Sequence, residues 1–466
     1  MAASSWRFPP AFWTANVIEL CERAAYYGWF IMLAPFLTDV VGYSDIQAGY
    51  IGGLFAAFLY LLPFLSGAFA DRVGYRWALL LALFLLTLGY GGIGLLPKKH
   101  WVLLSMLFIM GGGALVKPII TGTVARSSDE ASRARAFSLF YMMVNIGSFL
   151  GKTVAKPVRV SFGLATMPLL SAGVALVALF VVAALYFPKP SADEQRKITS
   201  LRETWTQLVA DFAQVLKSGR LMALVLITAG FWIIQGQLYS SMPKYVLRLV
   251  GSDASPEWYA NINPVVVTLS VVPITYLSRK LLPMASISIA LAMIPISAAV
   301  VAILPPLLGP IALPAWLRVG PFAHGTGFLH PVTVAMVTGI AIQGLSECFL
   351  SPRYLEFASK LAPPGKEALY LGYSHLNNFF SWLIGYILSG YLIDAFCPDP
   401  GKLSAAERAA HSAALAGKGP LPAAYAHAHY LWFVFVGIGV VAFICLLWFR
   451  AVTSRHDAQR AAAQLA

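Results

Sequence analysis

The amino-acid sequence predicts an all-α membrane protein of twelve transmembrane helices arranged as two six-helix bundles. Three observations lead there. The chain of 466 residues is 59% hydrophobic and only 11% charged, with a mean hydropathy of +0.72, whereas soluble domains carry roughly a quarter charged residues. Apolar segments of the length needed to cross a bilayer, about 20 residues each, recur along the whole chain. They fall into six, a polar stretch, and six again.

The first set lies near residues 11–38, 46–70, 77–96, 101–125, 134–157 and 162–187. The second lies near 220–247, 259–279, 282–305, 330–359, 367–396 and 424–450. The expected domains are therefore a bundle over 1–187, a linker over 188–219, a second bundle over 220–452 and a tail over 453–466. Lys and Arg concentrate in alternate loops, at Arg72 and Arg76, at Arg126, Arg133 and Arg135, at Arg196 and Lys197, at Arg279 and Lys280, and at Arg450 and Arg455. The positive-inside rule then puts both termini in the cytoplasm. The same scatter of basic loops accounts for the net charge of +13 and argues against a nucleic-acid partner. The linker reads as an amphipathic helix lying on the inner membrane surface, with Leu201, Trp205, Leu208, Phe212, Val215 and Leu216 on one side. The Ala/Gly/Pro-rich stretch 398–422 is expected to form a mobile outer hairpin. Four scattered cysteines define no disulfide framework, and the His427 and His429 pair is too sparse to predict a metal site. The first apolar run has no small-residue cleavage site after it, so it is expected to be kept as a helix.

Charge inside the apolar segments marks the candidate site. Glu19, Glu22, Arg23, Tyr26 and Tyr27 recur at helical spacing and form one stripe on the first helix. Each intramembrane charge costs about 2.5–3.5 kcal/mol on insertion scales, so such a stripe faces protein or water and is by default functional. Lys117, in the fourth helix beside Pro118, needs a carboxylate or must lose its proton, and Glu19 or Glu22 is the expected partner. Tyr141, Asn145 and Ser148 share a face of the fifth helix, and Asn263 opens the eighth. Trp232, Gln235 and Tyr239 lie on the seventh. Glu347 and Ser351 stand one turn apart on the tenth, before Pro352, which is expected to kink it, and His375, Asn378 and Trp382 share a stripe on the eleventh. Taken singly, the amides and hydroxyls are as well explained as helix–helix contacts. Neither His-Glu-x-x-His nor Gly-x-Ser-x-Gly occurs, so an intramembrane enzyme is not expected.

The loop Gly67-Ala-Phe-Ala-Asp71-Arg72-Val-Gly74-Tyr-Arg76 resembles the G-x-x-x-D-R-x-G-x-[RK] motif of the major facilitator superfamily, in the position where that superfamily carries it. Within the superfamily, the chain resembles the proton-coupled oligopeptide transporters. The resemblance rests on E-x-x-E-R-x-x-Y-Y-G at Glu19 to Gly28, the Lys-Pro of helix four and F-Y-x-x-x-N-x-G-S at Phe140 to Ser148. The Asn-Pro of helix eight and E-x-x-x-S-P at Glu347 to Pro352 complete it. It implies two parallel halves, alternating access and a proton-coupled symporter that imports di- or tripeptides or similar zwitterionic solutes, with protons as coupling ion and no cofactor. Glu19, Glu22, Arg23 and Lys117 would handle the proton. Tyr27, Tyr60 and Lys117 would meet the substrate carboxylate, and Asn145, Asn263 and Glu347 its amino end, with Gln237, Ser351 and Trp382 beside them. It further implies a monomer in the bacterial inner membrane.

The departures are Ala24 for a common Phe, Phe30 where many peptide-transporting members keep a second Arg, and a seventh helix, Phe231 to Gln237, without the acid that usually pairs with the helix-four Lys. Helix ten continues Arg353-Tyr354 after Pro352, and the two extra helices of many bacterial members are absent. These leave open another small solute (nitrate, an amino-acid derivative, a peptide-like antibiotic), an exporter, or a sensor that binds without transporting.

Overall fold

The computed structural model describes residues 8–129, 132–188, 216–312, 328–361 and 373–465, together with Thr206, Ala210 and Tyr370. The chain divides into two compact units, 1–208 and 209–466. In the first, the spans are Pro10–Phe30, Asp45–Leu61 continued by Pro63–Val73, Tyr75–Leu95, Lys99–Arg126, Arg133–Phe162 and Met167–Leu185. In the second they are Gly219–Gln235 with Met242–Leu249, Ile262–Leu277, Pro283–Leu307, Pro331–Lys360, Leu376–Phe396 and Tyr430–Leu465.

Among the described residues, nine helices are long and apolar enough to cross a membrane. The three others have identifiable reasons to miss that standard. The first contains Glu19, Glu22 and Arg23, the fifth contains Lys152, Lys156 and Arg159, and the second is split ahead of Pro63. Two of these exceptions thus carry several charges within one span, where the fourth and tenth helices hold Lys117 and Glu347 singly.

Small residues let these two charged helices touch. A Cβ on Gly147 would fall 2.4 Å from Leu20 O, and one on Gly151 2.3 Å from Ala24 O. Backbone cannot yield at such distances, so glycine is required one turn apart on the fifth helix where the first crosses it. Ala24, the departure from the family's Phe, is the facing contact. Ser171 Oγ donates to Ala25 O at 2.7 Å and ties the sixth helix to the first.

The conserved-type loop motif is partly helix and partly turn. Gly67 lies inside helix Pro63–Val73, and only Gly74 takes the left-handed φ of +87° that reverses the chain. Arg72 is exposed. The side chain of Asp71 lies outside the described residues. Arg76 Nη2 donates to Ala183 O at 2.9 Å, and its guanidinium sits 4.1 Å over the Phe187 ring, which fastens the third helix to the end of the sixth.

In the second unit the structure departs from expectation in one place. The outer stretch expected to be a mobile hairpin contains helix Ala405–Leu415, started by a Ser404/Glu407 capping box. Its His411 is buried, stacks on Tyr425 at 4.8 Å and holds Nε2 2.7 Å from Arg248 O, so the helix is docked. Alanine richness read as flexibility was in fact helix propensity. The tenth helix runs through Pro352 to Lys360, over the extent expected from the sequence. The stretch between the ninth and tenth helices begins and ends in a short antiparallel ladder, Ile311 with Leu329 and Ala312 with Phe328. The amphipathic linker helix through Leu201, Trp205, Leu208, Phe212 and Val215 lies outside the described residues.

Candidate functional site

In the first unit the charged stripe is buried against its own bundle. Glu19 and Glu22 are 1% and 2% exposed. The two carboxylates hold Arg23 unequally. Glu22 Oε2 receives both Nε and Nη2 of Arg23 at 2.5 Å. Glu19 Oε1 stands 3.4 Å from Arg23 Nε, and Glu19 Oε2 is buried with no hydrogen-bond partner. Arg23 also lies 5.4 Å from the Tyr26 ring.

Lys117 does not close the expected ion pair. Among the described residues it stands within 4.0 Å of no carboxylate, and Arg23 alone neutralises Glu19 and Glu22 at contact distance. Its charge still acts on both at longer range. The physical reason is geometric: a guanidinium adjacent to Glu22 and four residues from Glu19 reaches both acids without crossing to another helix.

Tyr27 and Tyr60 are half-buried on the first and second helices. Lys152, one residue beyond Gly151, is only 1% exposed and puts its ammonium 5.6 Å from the centre of the Tyr27 ring. Sequence reasoning passed over this cation because it read 134–157 as one apolar segment. A lysine inside that run, flanked by the glycine that brings the fifth helix against the first, was the available signal. Phe30 is buried between Tyr26, at 4.8 Å, and Phe55, at 6.3 Å. It completes an aromatic cluster with Trp29 and Tyr90. Asn145 Nδ2 donates to Tyr141 O at 2.8 Å within its own helix.

In the second unit the centre is Glu347, half-buried on the tenth helix. Gln235 Nε2 donates to its Oε2 at 2.9 Å, and Asn263 Nδ2 to the same oxygen at 3.3 Å. Three helices therefore converge on one carboxylate. Gly344, one turn before, lies close against Val266 and Asn263 O, where an added Cβ would stand 3.1–3.2 Å from them, and so favours the near approach of the eighth helix.

Gln235, and not Gln237, is the helix-seven amide at this place. Gln237 is 1% exposed, accepts from Ser240 and Ser241 at 2.8 and 2.6 Å, and donates to Ile233 O at 2.8 Å. Ser241 in turn meets Ser389 at 2.7 Å, so Gln237 belongs to a polar joint between helices seven and eleven. The reason is helical phase, since two residues rotate a side chain to the far side of the axis. Trp382 is half-buried, 5.8 Å from both Tyr239 and Tyr386 and packed over Gly236. Ser351 is half-buried one turn beyond Glu347. Among the described residues no group of three His, Cys, Asp or Glu side chains is placed to hold a metal ion.

The model of the family described as Major Facilitator Superfamily matches residues 18–329. The chain belongs to that superfamily. Over 178 residues it is 34% identical to dipeptide and tripeptide permease B of Salmonella typhimurium, covering 37% of this chain and 36% of the permease. The chain thus spans about a third of the length of that curated relative. A longer match, 24% identical over 399 residues and covering 83% of this chain and 87% of the relative, is to the uncharacterized MFS-type transporter YqjV of Bacillus subtilis.

Among solved structures, a crystal structure of a peptide transporter POT in complex with sulfate superposes with a TM-score of 0.71. It is 20% identical and covers 97% of this chain and 96% of that one. At that identity the likeness is one of fold, the all-α major facilitator fold. Superfamily, permease relatives and fold agree with the resemblance carried by Glu19 to Gly28, and they describe a multi-pass membrane transporter, not an enzyme.

Proposed function

We propose that the protein is a proton-coupled symporter that imports di- or tripeptides or closely similar zwitterionic solutes by alternating access. The observation that carries this is Glu347, a carboxylate inside the tenth helix held by two amides from two other helices. An intramembrane carboxylate so placed is suited to a substrate ammonium. The permease relatives named for dipeptides and tripeptides support the same solute class.

In this reading Arg23, Lys117 and Lys152 make the first unit cationic, and Tyr27 and Tyr60 are the hydroxyls that meet the substrate carboxylate with Lys117. Glu347 and Asn263 take the amino end, with Asn145, Ser351 and Trp382 beside them. Glu19, Glu22, Arg23 and Lys117 couple transport to the proton. Of the two carboxylates Glu19 is the better acceptor, because one of its oxygens already lacks a partner while Glu22 is engaged twice. Protonation frees Arg23 from one of its two anions and so changes what the guanidinium can bind next. Gly67, Asp71, Arg72, Gly74 and Arg76 form the loop that fixes helices two and three to the rest of the first unit as the protein changes conformation. The chain works as a monomer in the bacterial inner membrane, with both termini in the cytoplasm and no cofactor beyond the proton.

The test is uptake of labelled alanyl-alanine into proteoliposomes under an inward proton gradient. Accumulation that is abolished by Glu347→Gln, by Glu19→Gln and by an uncoupler is the expected result. A folded protein that accumulates no dipeptide refutes peptide import. A second reading, transport of a smaller amine-bearing solute, is favoured by Phe30, which fills with aromatic packing the place of a second helix-one cation. Uptake of an amino-acid derivative without dipeptide uptake would select it.

A further inference from the structure

Helix seven is interrupted after Gln235. The chain makes a short turn over Gly236–Leu238 and resumes as helix Met242–Leu249. An interruption of this kind frees backbone groups, and it is where a membrane helix bends most easily. Here helix eleven takes up the freed groups. The Tyr386 hydroxyl donates to Tyr239 O at 3.2 Å, and close to one turn further on Ser389 Oγ meets Ser241 Oγ at 2.7 Å.

The far end of Met242–Leu249 is fastened as well. The last turn of a helix leaves carbonyls with no donor inside the helix. His411 Nε2 lies 2.7 Å from one of them, Arg248 O, and because a carbonyl only accepts, the ring donates. The Arg248 side chain performs the same service for helix eleven, its Nη1 donating at 2.6 Å to Cys397 O just beyond Phe396. Two helix ends are thus capped through one arginine, by its backbone and by its side chain. His411 is held in turn, since its ring stacks 4.8 Å from Tyr425, whose hydroxyl donates to Pro398 O at 2.9 Å. Gly251, with a left-handed φ of +115°, lays the chain after helix seven beside Leu415. Arg248, Cys397, His411 and Tyr425 are all buried.

We infer that the stretch from Pro398 to Tyr425, with helix Ala405–Leu415 at its centre, is a strap that fixes Met242–Leu249 to helix eleven. It turns what would be a hinge between Gln235 and Met242 into a fixed bend. The two pieces of helix seven then keep their angle and travel with helix eleven whenever the second unit changes conformation. The inference goes beyond the proposed function and holds whichever solute is carried.

Cys397 is a native reporter of this joint, because its thiol is free and buried where helix seven meets helix eleven. Cys348, free and buried in helix ten, is the control. The experiment follows alkylation of the full chain in proteoliposomes by N-ethylmaleimide, each cysteine being read separately by peptide mass spectrometry. Rates are expressed as protection relative to the unfolded chain in the same buffer. In the wild type, Cys397 protection is expected to stay within about threefold with and without an inside-negative membrane potential, and with and without alanyl-alanine. In His411→Ala it is expected to fall about tenfold, the scale of one hydrogen bond, while Cys348 keeps its protection.

Loss of Cys397 protection in the wild type under any of these conditions would mean that helix seven leaves helix eleven, and would overturn the inference. Unchanged protection of Cys397 in His411→Ala would overturn it too, since the strap would then hold nothing. An equal fall at Cys348 would show general loosening and have the same consequence. If His411→Ala does not fold, His411→Phe keeps the stack on Tyr425 and removes the bond to Arg248 O. It is expected to lower Cys397 protection by about threefold, and no change there would count against the strap.

Discussion

Replacing Glu22 by Gln should damage the first unit more than replacing Glu19, although both are acids of one helix facing one arginine. Both carboxylates are about 2% exposed at the side chain and Arg23 is 16% exposed, so solvent screens neither pair strongly. Glu22 meets Arg23 at 2.5 Å through two nitrogens, and Glu19 at 3.4 Å through one. With an effective dielectric constant of about 20, unit charges at these separations attract by about 7 and about 5 kcal/mol before desolvation. Breaking a buried pair costs about 3–5 kcal/mol net, because the remaining charge stays buried. The Glu22→Gln cost belongs in that range, and the Glu19→Gln cost about 2 kcal/mol below it. The assay is thermal unfolding followed by tryptophan fluorescence in one detergent at one scan rate. Glu22→Gln is expected to melt about 2 °C below Glu19→Gln. Equal melting temperatures, or the reverse order, would refute the claim that Arg23 is held chiefly by Glu22.

Gly151→Val forces a branched side chain onto Ala24 backbone and should cost at least about 1–3 kcal/mol, the range for overpacking, seen as loss of monodisperse protein in size-exclusion chromatography. Arg76→Ala removes the bond to Ala183 O and the stack on Phe187, a combined loss of about 1–2 kcal/mol, and should speed hydrogen exchange at the end of the sixth helix while leaving the second unit unchanged. Outside the membrane spans, the Ser404 hydroxyl and backbone amide hold the Glu407 carboxylate below its ordinary range. Its contribution to the docked helix Ala405–Leu415 is therefore present at neutral pH and is lost as pH falls through the folded-state value. Limited proteolysis within Ala405–Leu415 should rise on acidification below about pH 4 and already be high at neutral pH in Ser404→Ala.

The sequence by itself determined the class of this protein and the helices that matter in it. A composition this apolar leaves water only at the loops, and a backbone in lipid must satisfy its own hydrogen bonds, so helices of bilayer length were the available solution. Glu19, Glu22, Arg23 and Glu347 stood out for the same reason, since charge at that depth is retained only against a cost. Spacing along one helix was enough to pair Arg23 with both acids.

What crosses between helices was not legible. The sequence allowed Lys117 the acids that Arg23 already holds, and it offered Gln237 where Gln235 makes the contact, because helical phase against a neighbour depends on the crossing. Lys152 became visible only once Gly147 and Gly151 had drawn the fifth helix onto the first. The helix with His411 was hidden in a composition that reads as loop until Arg248 and Tyr425 are there to receive it. Periodicity along one helix is a property of the chain, whereas the partner of a buried polar atom is a property of packing, and only the tertiary structure decides it.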